Sequence, residues 1–205
     1  MTHSKFNRTT TSLFFFISVV CFVALSKVTY AQEKLLPYRQ LPGAPGTYSA
    51  GAVASRMVDG LGFRFYWATE SLRSEDLVFK PSKDARTARE TIEHIYDMSF
   101  MILNATTGTI NSDQKLDLSF EELRRRTLEN FKSASDNLRT SSDRALKGYA
   151  AKFKDGDQIV ARPLWDIMSG PIEDCVWHVG QIVTFRRSSG NPLSDKVNFF
   201  TGEVR

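Results

Sequence analysis

Asp174 and His178 are the residues whose types and spacing most directly suggest chemistry in this chain. Side chains four residues apart on a helix lie one turn above each other on the same face. A carboxylate and an imidazole stacked in this way are suitable ligands for a divalent metal ion. His94 lies in an earlier segment with helical periodicity, so the question is whether the two helices meet around a metal. The alternative is that Asp174 and His178 form a simple ion pair within one helix.

The residues around this pair indicate that it faces the protein interior. A helical wheel at about 100° per residue places four side chains within about 60° of one another: Asp174, His178, Gln181 and Phe185. Apolar side chains flank this stripe on both sides, namely Cys175 and Ile182 on one and Trp177 on the other. Enclosed carboxylates and imidazoles need partners, because an unpaired buried charge is costly. Cys175 projects away from the stripe, and we expect it to be a buried structural cysteine.

The segment around His94 has a comparable stripe, made of Thr87, His94, Met98 and Met101, with Glu90 and Asp97 near its edge. Helical bundles build metal sites from side chains that project inward from facing helices. Five polar residues are therefore candidates to hydrogen-bond to the metal ligands or to a substrate: Gln181, Glu90, Asp97, Glu70 and Tyr66. Apart from Gln181, each of these is more often an ordinary helix-surface residue.

Residues 1–31 have the pattern of a signal peptide. Lys5 and Arg8 provide a positive start, an apolar run of thirteen residues extends over 13–25, and Ala31 ends a plausible cleavage site. A membrane span needs about 20 apolar residues, so this run is too short for a comfortable anchor. We expect cleavage near Ala31 and a periplasmic or secreted protein, without membrane attachment after cleavage. A retained N-terminal anchor is the alternative.

The composition of the remaining chain excludes some classes of function. Three of the 27 basic residues lie within residues 1–31, so 24 basic residues face 23 acidic ones after cleavage. This near-neutral balance gives no electrostatic case for binding nucleic acid. Cys175 would be the one cysteine left, so no internal disulfide is expected and stability must come from a packed core.

Four segments have helical periodicity, over residues 52–73, 85–105, 119–146 and 163–188. Asp84 is expected to cap the second, and Ser119 with Glu122 three residues later matches a capping box for the third. Gly170-Pro171 is expected to interrupt the fourth. No segment shows sustained apolar–polar alternation, so the sequence predicts an all-α four-helix bundle. The predicted organisation is an extended leader over 32–51 and a bundle over 52–205 with a docked C-terminal tail.

The order of motifs along residues 53–192 resembles the DinB/YfiT-like family. The resemblance rests on three pieces: Asp76-Leu77-x-Phe79-x-Pro81, a helix bearing His94, and Trp177-His178-Val179-Gly180-Gln181 followed by Arg186-Arg187 and Gly190-Asn191-Pro192. The resemblance implies a four-helix bundle with up-down-down-up connectivity. It also implies a metal site with one histidine from the second helix and two, four residues apart, from the fourth.

Carried over to this chain, the family's first ligand is His94 and its last is His178, while Asp174 stands in the place of the middle histidine. Two histidines and a carboxylate suit zinc, nickel, iron or manganese. The departure at Asp174 marks either a substituted ligand or a site that has lost its metal. The resemblance implies a metal-dependent hydrolase or thiol-dependent transferase acting on a small molecule, with a homodimer as a further expectation. The alternative is a non-catalytic exported bundle that binds a small molecule or partner without metal.

Overall fold

The computed structural model describes residues 36–112 and 117–205. The chain divides into a unit of residues 1–36 and a compact unit of residues 37–205. The predicted signal peptide and the first residues of the predicted leader lie outside the described ranges. Within those ranges, no helix combines the length and the apolar character needed to cross a membrane.

The helices of the described part are α1 (Ala50–Thr69), α2 (Ser74–Leu77), α3 (Ala88–Thr107), α4 (Phe120–Arg139), α5 (Asp143–Leu146), α6 (Leu164–Ile167) and α7 (Glu173–Ser188). A π-helical turn, Met168–Ile172, joins α6 to α7. The strands are β1 (Ile110–Asn111), β2 (Ala150–Asp155), β3 (Gln158–Pro163), β4 (Val197–Asn198) and β5 (Glu203–Val204). β2 pairs antiparallel with β3 and parallel with β1, while β4 and β5 form a separate antiparallel ladder.

Side-chain hydrogen bonds show the relative directions of α1, α3 and α4. Asp59 in the first half of α1 accepts from Ser135 near the end of α4, at 2.6 Å. Thr69 at the end of α1 accepts from Arg124 near the start of α4, at 2.9 Å, so the two helices are antiparallel. α3 and α4 are parallel, because successive levels pair in the same order: Asn130 with Ser99, then Asn137 with Thr106.

α7 runs parallel to α1. Arg186 near the end of α7 contacts carbonyl groups at the end of α1, and Met168 ahead of α7 shares a cavity wall with Ala54 near the start of α1. The four long helices therefore run up, down, down and up in chain order. Apolar side chains with less than 2 % exposure fill the space between them: Val58, Leu61, Phe63, Phe65, Ile92, Ile95, Ile102, Leu128, Phe131, Leu138 and Ile182.

The chain is predominantly helical as predicted, but the prediction of an all-α four-helix bundle is confirmed only in part, because β2 and β3 form a hairpin. Its two-residue turn is Gly156-Asp157, with Gly156 at φ +57°. Glycine at the first central position is typical of a type II′ turn, which matches the twist of antiparallel strands. The predicted third helix is also shorter than expected. α4 ends at Arg139 rather than near residue 146, and the short α5 occupies the rest of the predicted range.

The N-cap predicted for the second helix is also wrong. Thr87 and not Asp84 caps α3, because its hydroxyl accepts from the Glu90 amide while the Glu90 carboxylate accepts from the Thr87 amide at 2.7 Å. This reciprocal pair is a complete capping box and satisfies two of the orphan donors of the first turn. Ser119 caps α4 as predicted, since its hydroxyl accepts from the Glu122 amide, but the predicted capping box is incomplete because the Glu122 carboxylate accepts from Arg125 and Arg126 instead.

The described part of the leader lies against α1. The Tyr38 side chain is buried and its hydroxyl donates to the carboxylate of Asp59 at 3.1 Å. The Tyr38 ring lies over Gly62, where any Cβ would come within 2.4 Å of it. Further along, the Leu41 amide donates to the Gly202 carbonyl at 3.0 Å. The leader is therefore joined both to α1 and to the C-terminal tail.

Two arginines hold the carbonyl end of α1. The Arg186 guanidinium, 4 % exposed, donates to the carbonyls of Trp67, Ala68 and Glu70 at 3.0–3.1 Å. Arg124 donates to the Tyr66 carbonyl and lies over the Tyr66 ring, 4.5 Å from its centroid. The last carbonyls of a helix have no partners within the helix and carry partial negative charge, so cations stabilise them. Arg186 thereby fixes the position of α7, the helix that carries Asp174 and His178.

Candidate metal centre

α3 and α7 bring together the three residues that the sequence singled out. His94 Nε2 lies 3.2 Å from Asp174 Oδ2, and His178 Nε2 lies 3.4 Å from the same oxygen. The two imidazole rings meet edge to face with their centroids 4.7 Å apart. One ligand atom from each residue lies within 4.8 Å of the others, so the group could hold a metal ion. Ligands about 2 Å from one zinc ion would have this spacing.

Gln181 determines which nitrogen of His178 faces the group. Gln181 Oε1 lies 2.9 Å from His178 Nδ1, and an amide oxygen can only accept, so Nδ1 carries the hydrogen. In the neutral imidazole, Nε2 then presents a lone pair to Asp174 Oδ2, which is itself an acceptor. Two acceptors at 3.4 Å are unfavourable unless a proton or a cation lies between them. A metal ion would satisfy both atoms at once, and the hydrogen bond to Gln181 is the outer support usual for a metal-bound histidine.

The group is partly open to solvent. The side chain of His178 is 13 % exposed, that of His94 25 % and that of Asp174 34 %. The prediction that apolar residues enclose the stripe on both sides is wrong on one side, because Trp177 is 72 % exposed. On the other side Cys175 is fully buried as predicted, and burial with the nearby Asp174 raises the pKa of its thiol. An ion held here would be reachable from solvent, whereas the thiol would not.

The π-helical turn decides which face of α7 points at His94. On an uninterrupted helix at about 100° per residue, Ile167 would lie within about 20° of Asp174. Ile167 is instead buried, like Cys175 after the turn. A π turn accommodates one additional residue, which shifts the phase by about 100° and aligns Ile167 with Cys175. Both segments can thus bury their apolar side chains while Asp174 stays toward α3.

The other predicted polar residues have separate partners. Glu90 belongs to the capping box with Thr87, and its pKa is lowered mainly by the hydrogen bond from the Thr87 amide. Glu70 forms an ion pair with Arg124 at the end of α1, next to Tyr66. Asp97 lies on the wall of a cavity beside α3. Of the five residues considered as supports, the structure brings Gln181 into contact with a candidate ligand.

Comparison with known proteins gives little that bears on function. No protein-family model matches the chain, and no curated protein matches it. The structure is similar to the crystal structure of a DinB-like protein, YjoA, from Bacillus subtilis, with a TM-score of 0.49 and 13 % sequence identity. The similar region covers 66 % of this chain and 92 % of the Bacillus chain.

Proposed function

We propose that this chain is an exported, DinB-like metalloprotein whose divalent ion is held by His94 Nε2, Asp174 Oδ2 and His178 Nε2. One observation carries the proposal: the lone pair of His178 Nε2, oriented by Gln181, faces the acceptor oxygen of Asp174 at 3.4 Å. This contact is accounted for when a cation lies between the two atoms. The DinB-like assignment is supported by the motif order in the sequence and by the up, down, down, up course of the long helices.

The proposed activity is a metal-dependent hydrolase or thiol-dependent transferase acting on a small molecule. A bound divalent ion supplies Lewis acidity, which can acidify water or a thiol. Three protein ligands leave coordination positions open on a four- to six-coordinate ion. Because the Asp174 side chain is 34 % exposed, an ion held by these residues would be reachable by water or a substrate from solvent. The buried Cys175 cannot be the reacting thiol, so a transferase would take its thiol from a second substrate.

A metal-free alternative is favoured by one distance. His94 Nε2 and Asp174 Oδ2 lie 3.2 Å apart, which is within hydrogen-bonding range. With a proton on His94 Nε2 and on His178 Nε2, Asp174 would accept from both imidazoles. The three residues would then serve as a polar link between α3 and α7 in a non-catalytic bundle that binds a small molecule or a partner.

Metal content separates the two functions. The chain is expressed in full, purified after processing, incubated with zinc, nickel, iron or manganese, desalted and analysed by elemental mass spectrometry. We expect one ion per chain in the wild type, none in His178→Ala, and full occupancy in Thr184→Ala, an exposed control on the same helix. A wild-type chain that retains no stoichiometric metal under any of these conditions would leave only the metal-free alternative.

Export is proposed from the sequence pattern of residues 1–31. Cell fractionation and the intact mass of the purified chain test it directly. A product that begins at Gln32 in the periplasm or medium is expected. A cytoplasmic product of full mass contradicts the proposal.

A further inference from the structure

A cavity of about 440 Å³ lies beside α3, between this helix and the β1–β2 pair. Its lining includes Tyr96, Asp97, Phe100, Met101 and Phe153. Its volume is in the range of small-molecule sites, which are mostly apolar with a few polar groups. Neither the hairpin nor this cavity was predicted from the sequence.

Two residues of the cavity wall, Asp97 and Met101, follow His94 along α3. Asp97 follows His94 by three residues and Met101 by seven, so both lie on the same side of α3 as the imidazole. At about 1.5 Å per residue, they are roughly 5 and 10 Å from His94 along the helix axis. A molecule with one end at the candidate metal centre could therefore extend its other end along α3 into the cavity.

The cavity walls indicate what that other end would be. Phe100 and Phe153 are aromatic walls contributed by α3 and β2, and Met101 adds an adaptable apolar surface. The Tyr96 ring is 4 % exposed, and its hydroxyl, which lies beside the Arg126 guanidinium, donates no hydrogen bond within the described ranges. A buried hydroxyl hydrogen without an acceptor is uncommon, and a ligand that offers an acceptor would satisfy it.

We propose that the cavity binds the body of the substrate: an uncharged aromatic or apolar group with one hydrogen-bond acceptor, whose polar reacting end lies at the metal. The inference rests on the proposed metal centre and adds the class of molecule on which it acts. Met101 and Phe153 determine specificity for the body, and Tyr96 orients it. Substrates without such a body would bind through the metal alone.

Hydroxamates separate the two parts of the proposal, because their head group binds metal whatever the tail. Binding of acetohydroxamate, benzohydroxamate and biphenyl hydroxamate to the zinc-loaded protein is measured by calorimetry. Acetohydroxamate reports the metal centre alone. We expect the affinity to rise along the series by at least about tenfold overall.

Substitutions in the cavity wall test whether the gain in affinity along the hydroxamate series arises in the cavity. Met101→Trp fills the cavity and should abolish the gain while leaving acetohydroxamate binding unchanged. Met57→Trp, the same substitution at a half-exposed methionine on α1, should retain it. Phe153→Ala, on a different element, should reduce the gain at least about threefold. Tyr96→Phe should weaken the binding of a phenoxyphenyl hydroxamate, which carries an ether acceptor, more than the binding of the biphenyl compound.

The outcomes are distinguishable. Equal affinity for the three hydroxamates, or a gain that survives both Met101→Trp and Phe153→Ala, overturns the cavity inference and leaves the metal centre intact. Failure of every hydroxamate, including acetohydroxamate, refutes the metal centre and this inference with it. If Tyr96→Phe weakens the binding of the phenoxyphenyl and biphenyl compounds equally, the proposal that the substrate carries a hydrogen-bond acceptor is wrong.

Discussion

Replacing Arg186 with methionine tests whether this side chain fixes α7. Its guanidinium donates to three carbonyls at the end of α1 and to the Asn191 carbonyl, at 2.7–3.1 Å. Methionine fills a similar volume without a hydrogen-bond donor, so the substitution mainly removes the charge and the hydrogen bonds of the guanidinium. Arg187→Met is the matched control, because the neighbouring side chain is exposed and lies in the same turn.

The expected loss in free energy of unfolding depends on how many of these carbonyl groups can be hydrated once the guanidinium is removed. The bond to the Ala68 carbonyl is buried, while the others are part-buried and can be rehydrated. A buried acceptor left without a partner costs about 1–3 kcal/mol, and each lost hydrogen bond to a charged group about 1.5–3. The desolvation of Arg186, which lowers its pKa, is relieved in the variant and offsets part of that sum. We expect a net loss of about 3 kcal/mol.

Urea denaturation followed by circular dichroism measures this loss, provided that the slope with denaturant is unchanged. Arg187→Met should remain within about 0.5 kcal/mol of the wild type. At about 2–4 °C per kcal/mol for a domain of this size, the Arg186 variant should melt roughly 6–12 °C lower. Equal stability of the two variants would refute the claim that Arg186 holds α1 and α7 together.

Three further predictions concern individual side chains. Gln181→Leu should weaken zinc binding about 10–100-fold, measured by chelator competition, because the histidine it contacts loses the acceptor that holds its tautomer. Arg73 holds the pKa of Asp76 well below its ordinary value, so the carboxylate stabilises the fold fully above pH of about 4 and loses this effect as pH falls toward the folded-state pKa. The stability advantage of the wild type over Asp76→Asn in urea should therefore shrink between pH of about 4 and 2. Gly62→Ala should displace the buried leader tyrosine and speed proteolysis of the leader, whereas Gly60→Ala should not, since its Cβ would meet only a flexible side-chain end at 3.2 Å.

Much of the helical core and the candidate ligands was predictable from local patterns. The four long helices follow apolar periodicity, which depends only on burial of one helix face. Asp174 and His178 were recognisable because a spacing of four residues on one helix fixes their relation. The contact with His94 depends on how α3 and α7 pack, and spacing alone gives no information on that.

Three features of the structure were not predicted: the β2–β3 hairpin, the N-cap of α3 and the π-helical turn. The Gly156-Asp157 pair signals a β-turn, but β2 and β3 are short and expose both faces at several positions, so apolar alternation is weak. Thr87 competes with Asp84 for the same cap, and the choice depends on Glu90 three residues later. Gly170-Pro171 indicated an interruption, but the π turn itself arises because buried residues before and after it must share one face.

The hydrogen bond between Leu41 and Gly202 has a consequence for the dynamics of the chain. The first and last described segments are hydrogen-bonded to each other, and Gly202 at φ +78° leaves no room for a Cβ beside Leu41. Peripheral segments of a domain usually fray independently of one another. Here, release of either the leader or the C-terminal tail removes a hydrogen-bond partner of the other, so these two segments should open as one cooperative unit. In amide exchange, they would share a single opening free energy and a common response to denaturant.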